Sequence, residues 1–270
     1  MITFENTQPT LAIHKFTSCD GCQLSLLNLG PDLLQLSKLV NIQHFVEAGI
    51  VSPDCNVDIA LIEGSISTNA EIERIRAIRA QSHYIVALGA CATAGGIQAL
   101  RNMADGDAWL ADIYPNTEAL DSLTTSQPIA DYIRVDFELR GCPVNEKQIT
   151  QFLLQLAQGV KPKTVDQPVC LTCKQKNIAC LMITKKIPCM GPVTQTGCDA
   201  LCPSHQRGCF ACYGPIEQAN IDSLTEHFKH LGISAKAIKN KLLNINNQPS
   251  DFYKTARRMS ENSGFRQIKA

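Results

Sequence analysis

The segment from Cys170 to Cys212, CLTCKQKNIACLMITKKIPCMGPVTQTGCDALCPSHQRGCFAC, holds eight of the chain's thirteen cysteines and constrains the fold more than any other stretch. Pro188, Pro192, Pro203, Gly191, Gly197 and Gly208 interrupt it, and almost no helical or strand periodicity survives. So few apolar side chains do not offset the entropy of ordering such a segment, so something bonded to sulfur must hold it. Disulfides suit a secreted scaffold. The opening residues, MITFENTQPTLAIHKF, show neither a basic stretch followed by an apolar run nor a twin arginine, so the expectation is a cytoplasmic chain with reduced thiols. Two metal chemistries stay open. The CxxC pairs Cys170/Cys173 and Cys209/Cys212 have zinc spacing. Zinc leaves Cys180, Cys189, Cys198 and Cys202 in need of a second site, whereas two cubane iron–sulfur clusters use all eight. Spacing favours iron–sulfur.

Composition bounds the rest. A chain of 270 residues, 44% hydrophobic, supports one good-sized domain and a smaller one, read as residues 1–160 and 161–270. Lys plus Arg and Asp plus Glu number 25 each, so no net field recruits nucleic acid or an anionic membrane. No apolar run approaches the roughly 18 residues of a membrane-spanning helix.

Periodicity places strands at 11–17, 41–46, 57–63, 83–88 and 132–135 and helices at 23–29, 31–39, 70–81 (capped by Asn69) and 145–158. Residues 102–127 read as a polar, loop-rich connection and 159–167 as a linker. Helices are expected at 216–231 and 252–270. Strands alternating with helices predict an α/β, doubly wound parallel sheet, followed by the loop-rich cysteine segment. In such a sheet ligands bind at the carboxyl ends of the strands. Cys19, Cys22, Cys91 and Cys142 each follow an expected strand and lie near glycine, which admits a bulky cluster and lets backbone N–H groups face its sulfur. Together they predict a third cluster site. Cys55 has no such partner and reads as an ordinary buried cysteine. Glu63, ending a buried strand, is a candidate carboxylate near that site, though a solvated or capping role is the commoner one.

Three motifs carry a resemblance: Ser18-Cys19-Asp20-Gly21-Cys22-Gln23-Leu24-Ser25-Leu26-Leu27, Ala87-Leu88-Gly89-Ala90-Cys91-Ala92 and Gly141-Cys142-Pro143-Val144-Asn145. In this order, over about residues 11–215, the chain resembles the small, electron-transferring subunit of cytoplasmic multimeric nickel–iron hydrogenases. It is most like the sulfhydrogenase delta and the F420-linked or viologen-reducing gamma types. The resemblance implies a flavodoxin-like first domain and three 4Fe-4S clusters. The proximal one is held by Cys19, Cys22, Cys91 and Cys142, the medial by Cys198, Cys202, Cys209 and Cys212, and the distal by Cys170, Cys173, Cys180 and Cys189. It implies a large subunit carrying the nickel–iron site, and flavin/iron–sulfur diaphorase-type subunits serving NAD(P) or another low-potential acceptor. Cluster ligands depart from those of the exported members at two positions: Cys170 stands where their distal histidine does, and Cys202 where a medial proline accompanies a 3Fe-4S centre. Ser18 replaces a glutamate found there, which puts a proton-transfer part for this chain in question. His205 then reads as a surface residue, and Lys174, Lys185 and Lys186 as solvated charges that could dock an acidic redox partner. A complex I-like quinone reductase subunit shares the first domain but lacks the cysteine-rich second one. A zinc-stabilised structural module is the reading from outside redox chemistry.

Overall fold

Five short apolar runs become five parallel strands: β1 (Thr10–Lys15), β2 (Asn41–Phe45), β3 (Val57–Glu63), β4 (Ser82–Leu88) and β5 (Phe137–Leu139). Their order is β2-β1-β3-β4-β5, the flavodoxin-like doubly wound arrangement. The computed structural model describes residues 8–163, 166–248 and 250–261. The chain divides into two units, residues 1–164 and 165–270.

In the first unit, strand alternation feeds two cores. Leu11, Ile13, Ile59, Leu61, Val86 and Leu88 face helices α1 (Gly21–Leu27), α2 (Pro31–Leu36) and a C-terminal helix. Ala12, Ala60, Ile62, Ile85 and Ala87 face α3 (Asn69–Gln81) on the other side. Strand β3 is buried at nearly every position because both faces are covered, which is why its sequence shows no polar alternation. Two further helices are α4 (Gly89–Ala94) and α5 (Gly106–Ile113), and α6 (Glu146–Ala157) is the C-terminal one. Helix α6 buries Ile149, Phe152, Leu153 and Leu156, each contributing about 1.5–3 kcal/mol by area removed from water. Asn145 starts it by accepting from the amides of Lys147 and Gln148.

The structure departs from the sequence expectations in particular places. Tyr132–Val135 is not a strand: the amides of Tyr132 and Ile133 turn back to the carbonyl of Ile129, and pairing with β4 begins only at Phe137. Asp136 sets that start, because its carboxylate accepts from Ile85 N and from Arg79 Nη1 at 2.6 Å. The cap of α3 is Thr68, whose hydroxyl accepts from Glu71 N, and Asn69 is the first helical residue. The 102–127 connection contains α5, capped by Asp105.

The second unit is helical and loop-rich. Its helices are α7 (Val169–Gln175), α8 (Leu181–Thr184), α9 (Leu201–Ser204), α10 (Ile221–His230), α11 (Ala235–Leu242) and α12 (Asp251–Glu261). Its core joins Val169, Met190, Val193 and Ala211 from the cysteine-rich loops to Leu224 and Phe228 of α10, Ile238 and Leu242 of α11 and Phe252 and Ala256 of α12. The last helices thus supply the apolar surface that the cysteine segment lacks. Helix α10 begins at Ile221 rather than at 216, because Asn220 caps it by accepting from Ser223 N. The expected last helix is observed up to Glu261, and its remainder lies outside the described residues. No helix among the described residues is long and apolar enough to cross a membrane.

Candidate metal centres

The carboxyl ends of β1, β3, β4 and β5 deliver four cysteines and one carboxylate to one edge of the sheet. Cys19 and Cys22 flank the start of α1 after β1, Cys91 sits in α4 directly after β4, and Cys142 follows β5. Glu63, the last residue of β3, is buried between them. Its Oε1 accepts from Cys22 N at 2.9 Å, and its Oε2 accepts from Gln23 N at 3.3 Å and Gln23 Nε2 at 2.9 Å. This carboxylate clasps the first turn of α1 and fixes where Cys22 lies. It is a buried capping group, neither solvated nor paired with a cation, and sequence reasoning missed Gln23 as its partner. The available signal was a glutamine directly after the CxxC.

Backbone geometry draws the four sulfurs together. At Gly89 φ is +82°, and a Cβ there would collide with Cys22 Sγ. The amide of Ala90 donates to Gly141 O at 2.7 Å, joining the Cys91 turn to the Cys142 loop. The Cys19 sulfur lies 3.4 Å from where a Cβ of Gly21 would stand, and Pro143 lies 3.6 Å from the same point. Amides of Val144 and Ile97 face the sulfurs of Cys22 and Cys91. Burial, and then repulsion from neighbouring thiols and from Glu63, raises Cys22, Cys91 and Cys142, Cys91 to about 12.

In the second unit Cys170 and Cys189 converge over Gly191, each sulfur 3.4 Å from a hypothetical Cβ there. Burial, followed by Cys189, Cys173 and Cys180, pushes Cys170 up to about 11. Cys202 feels Cys198, and Cys209 feels Cys212. Cys189 touches both groups: its sulfur accepts from Cys209 N at 3.1 Å, while the Cys209 sulfur accepts from Ala211 N at 3.4 Å. The two groups of thiols therefore adjoin.

This donor set fits iron–sulfur clusters. Thiols raised by burial and by one another shed their protons only to a cationic body, and amides facing sulfur are the hydrogen bonds that tune a cluster. Among the described residues no three Cys, His, Asp or Glu side chains are placed to hold one metal ion; a cluster bridges its thiolates through a larger body. Cys55 packs half-buried against the second core, away from the strand ends, and His205 is exposed.

Comparison with known proteins follows this geometry. The family described as NADH ubiquinone oxidoreductase, 20 Kd subunit, matches residues 19–156, which span the four strand-end cysteines. The Sulfhydrogenase 2 subunit delta of Pyrococcus furiosus is 37% identical over 221 residues, 82% of this chain and 92% of that protein. The chain belongs to this family, on its hydrogenase branch. A solved NAD+-reducing [NiFe]-hydrogenase is 29% identical with a TM-score of 0.54, covering 58% of this chain and 96% of its own. The fold of an actinobacterial-type NiFe-hydrogenase chain from Ralstonia eutropha H16 extends over 98% of this chain and 95% of its own, with a TM-score of 0.55 at 15% identity. The chain is thus a hydrogenase small subunit, an oxidoreductase component with an α/β fold. The family match ends before Cys170, so the cysteine-rich unit separates this small subunit from one built on the first domain alone.

Proposed function

We propose that this hydrogenase small subunit relays single electrons through three 4Fe-4S clusters between a nickel–iron site on a large subunit and a low-potential acceptor. Residues 1–160 form the domain holding the proximal cluster on Cys19, Cys22, Cys91 and Cys142. Residues 161–270 hold the distal cluster on Cys170, Cys173, Cys180 and Cys189 and the medial one on Cys198, Cys202, Cys209 and Cys212. A flavin/iron–sulfur diaphorase-type subunit passes the electrons on to NAD(P) or another low-potential acceptor, and the assembly works in the cytoplasm.

One observation supports this reading: Cys91 lies near Cys142 and Cys19 at the strand ends, Cys170 near Cys189, Cys173 and Cys180, Cys202 near Cys198, and Cys209 near Cys212, whereas Cys55 packs against the second core. When bound, the clusters supply one-electron redox chemistry. The chain's residues hold and tune them. Four thiolates at each site favour a low potential, and the amides of Val144, Ile97 and Ala211 moderate the charge on sulfur. Glu63 accepts three N–H bonds at the first turn of α1 and so fixes where Cys22 stands. A zinc-stabilised module is the competing reading, and metal and acid-labile sulfide analysis of the purified complex decides between them. The relay requires iron and sulfide in equal amounts on this chain; zinc without iron refutes it.

A further inference from the structure

Cys189 stands at a junction between the two cysteine sets of the second unit. After burial, the largest cause, Cys189 raises the thiols of Cys170 and Cys173 in the distal set and those of Cys202 and Cys209 in the medial set. Backbone bonds hold it there. Cys209 N donates to Cys189 Sγ at 3.1 Å and Met190 N donates to Cys209 O at 3.2 Å, so residues 189–190 are laced to Cys209 by two bonds. Both cysteines are buried, and an amide released from that sulfur would find no water in its place. The two segments approach this closely because residue 208 is glycine. A Cβ there would collide with Pro188 O and stand 3.3 Å from Ile187 Cγ2, while the backbone at 208 is not left-handed, so glycine supplies room rather than a turn.

A hydrogen bond to a ligating sulfur draws charge off it and raises the potential of the cluster it holds. Here the donor is the backbone of a residue from the other set. We propose that Gly208 is a positioning residue that sets the Cys209 amide on the sulfur of Cys189, so that a ligand residue of the medial site holds up the potential of the distal one. This rests on the relay proposed above. The two sites are then not tuned independently: one stretch of backbone fixes both the Cys209 thiolate and the donor to Cys189.

The test is an EPR-monitored redox titration of the holo-complex, with Cys180→Ser marking which signal belongs to the distal set. In Gly208→Ala the added Cβ pushes residue 208 away from Pro188 and draws the amide off Cys189. The reduction equilibrium of the distal cluster is expected to fall by about tenfold, ~59 mV for one electron, with iron retained and the first-unit signal unmoved. Asn246→Ala separates loss of this bond from a general loosening of the loop. Asn246 Nδ2 donates to Ala211 O at 2.7 Å, on the far side of Cys209, and its removal frees that turn while residue 208 keeps its room. The distal midpoint is expected to stay at its wild-type value there. An unshifted distal midpoint in a loaded Gly208→Ala overturns the proposal, and so does an equal fall in Asn246→Ala. Where Gly208→Ala holds no iron in the second unit, the wild type decides. Pulsed EPR of a complex labelled with [15N]cysteine, set against one labelled at every residue except cysteine, is expected to show a hydrogen-bonded cysteine nitrogen coupled to the distal signal, and its absence overturns the proposal. A wild type with no iron–sulfur signal from the second unit overturns the relay itself, whereas the failures above, in a loaded wild type, overturn this inference alone.

Discussion

Replacing Glu63 by Gln keeps the size of the side chain and removes its charge. Three donors converge on the carboxylate, the amides of Cys22 and Gln23 and the Gln23 side chain. Burial raises its pKa and these donors pull it back; with three N–H groups facing its two oxygens, the ionised carboxylate is the form these bonds stabilise. Were the cluster's charge about 7 Å from the carboxylate, at an effective dielectric of about 20, one charge would be worth ~2.4 kcal/mol, or ~100 mV for a one-electron couple. The sign follows directly. Reduction adds negative charge to the cluster, Glu63 opposes it, and removing Glu63 raises the midpoint potential. The variant also turns an amide N–H toward a donor, costing about 1–3 kcal/mol of local stability, which loosens α1 without unfolding a sheet buried on both faces. An EPR-monitored redox titration of the complex at pH 8 reads the shift, with the two clusters of the second unit as internal references. A rise near 100 mV confined to the proximal signal is expected. No shift, or a shift to lower potential with that cluster intact, refutes the electrostatic role.

Other perturbations follow from the same geometry. Gly89→Ala places a Cβ against Cys22 Sγ at a φ of +82°, adding about 1–2 kcal/mol of backbone strain, and is expected to lose the iron of the first-unit site alone. Cys202→Pro leaves Cys198, Cys209 and Cys212 in place and is expected to convert that centre to 3Fe-4S, with an EPR signal in the oxidised state; an intact protein without that signal contradicts the assignment of ligands. Away from the metal sites, His14 stacks on His44 with ring centroids 4.7 Å apart, and burial, then His44 and Arg74, hold its pKa down at about 3. The unfolded chain takes up that proton near pH 6.5 and the folded one does not, so stability falls as pH drops below 6.5, by ~1.4 kcal/mol per unit. Unfolding free energies from urea titrations at pH 6.5 and 5 are expected to differ by ~2 kcal/mol, and in His14→Gln by much less.

Much of this molecule is legible in its sequence, where local chemistry and tertiary demand agree. Strand β3 and helix α6 lie within a residue of their expected bounds, because an unbroken apolar run and an asparagine cap each leave one solution. Periodicity places strand β5 several residues early: Tyr132–Val135 has stronger strand propensity than Phe137–Leu139, but Asp136 pairs with Arg79 and the β4 backbone and moves the start of pairing beyond it. The clasp of Glu63 on α1 was half legible. A carboxylate at a buried strand end is visible, but its partners lie 40 residues away and only the β1–β3 register brings them together.

Native mass spectrometry of this chain, released from the purified complex without denaturation, tests the relay most directly. The account predicts the polypeptide mass increased by three Fe4S4 units, with Cys55 the one thiol open to alkylation. A mass increased by zinc, or by fewer than three cubanes with several other thiols reactive, contradicts it.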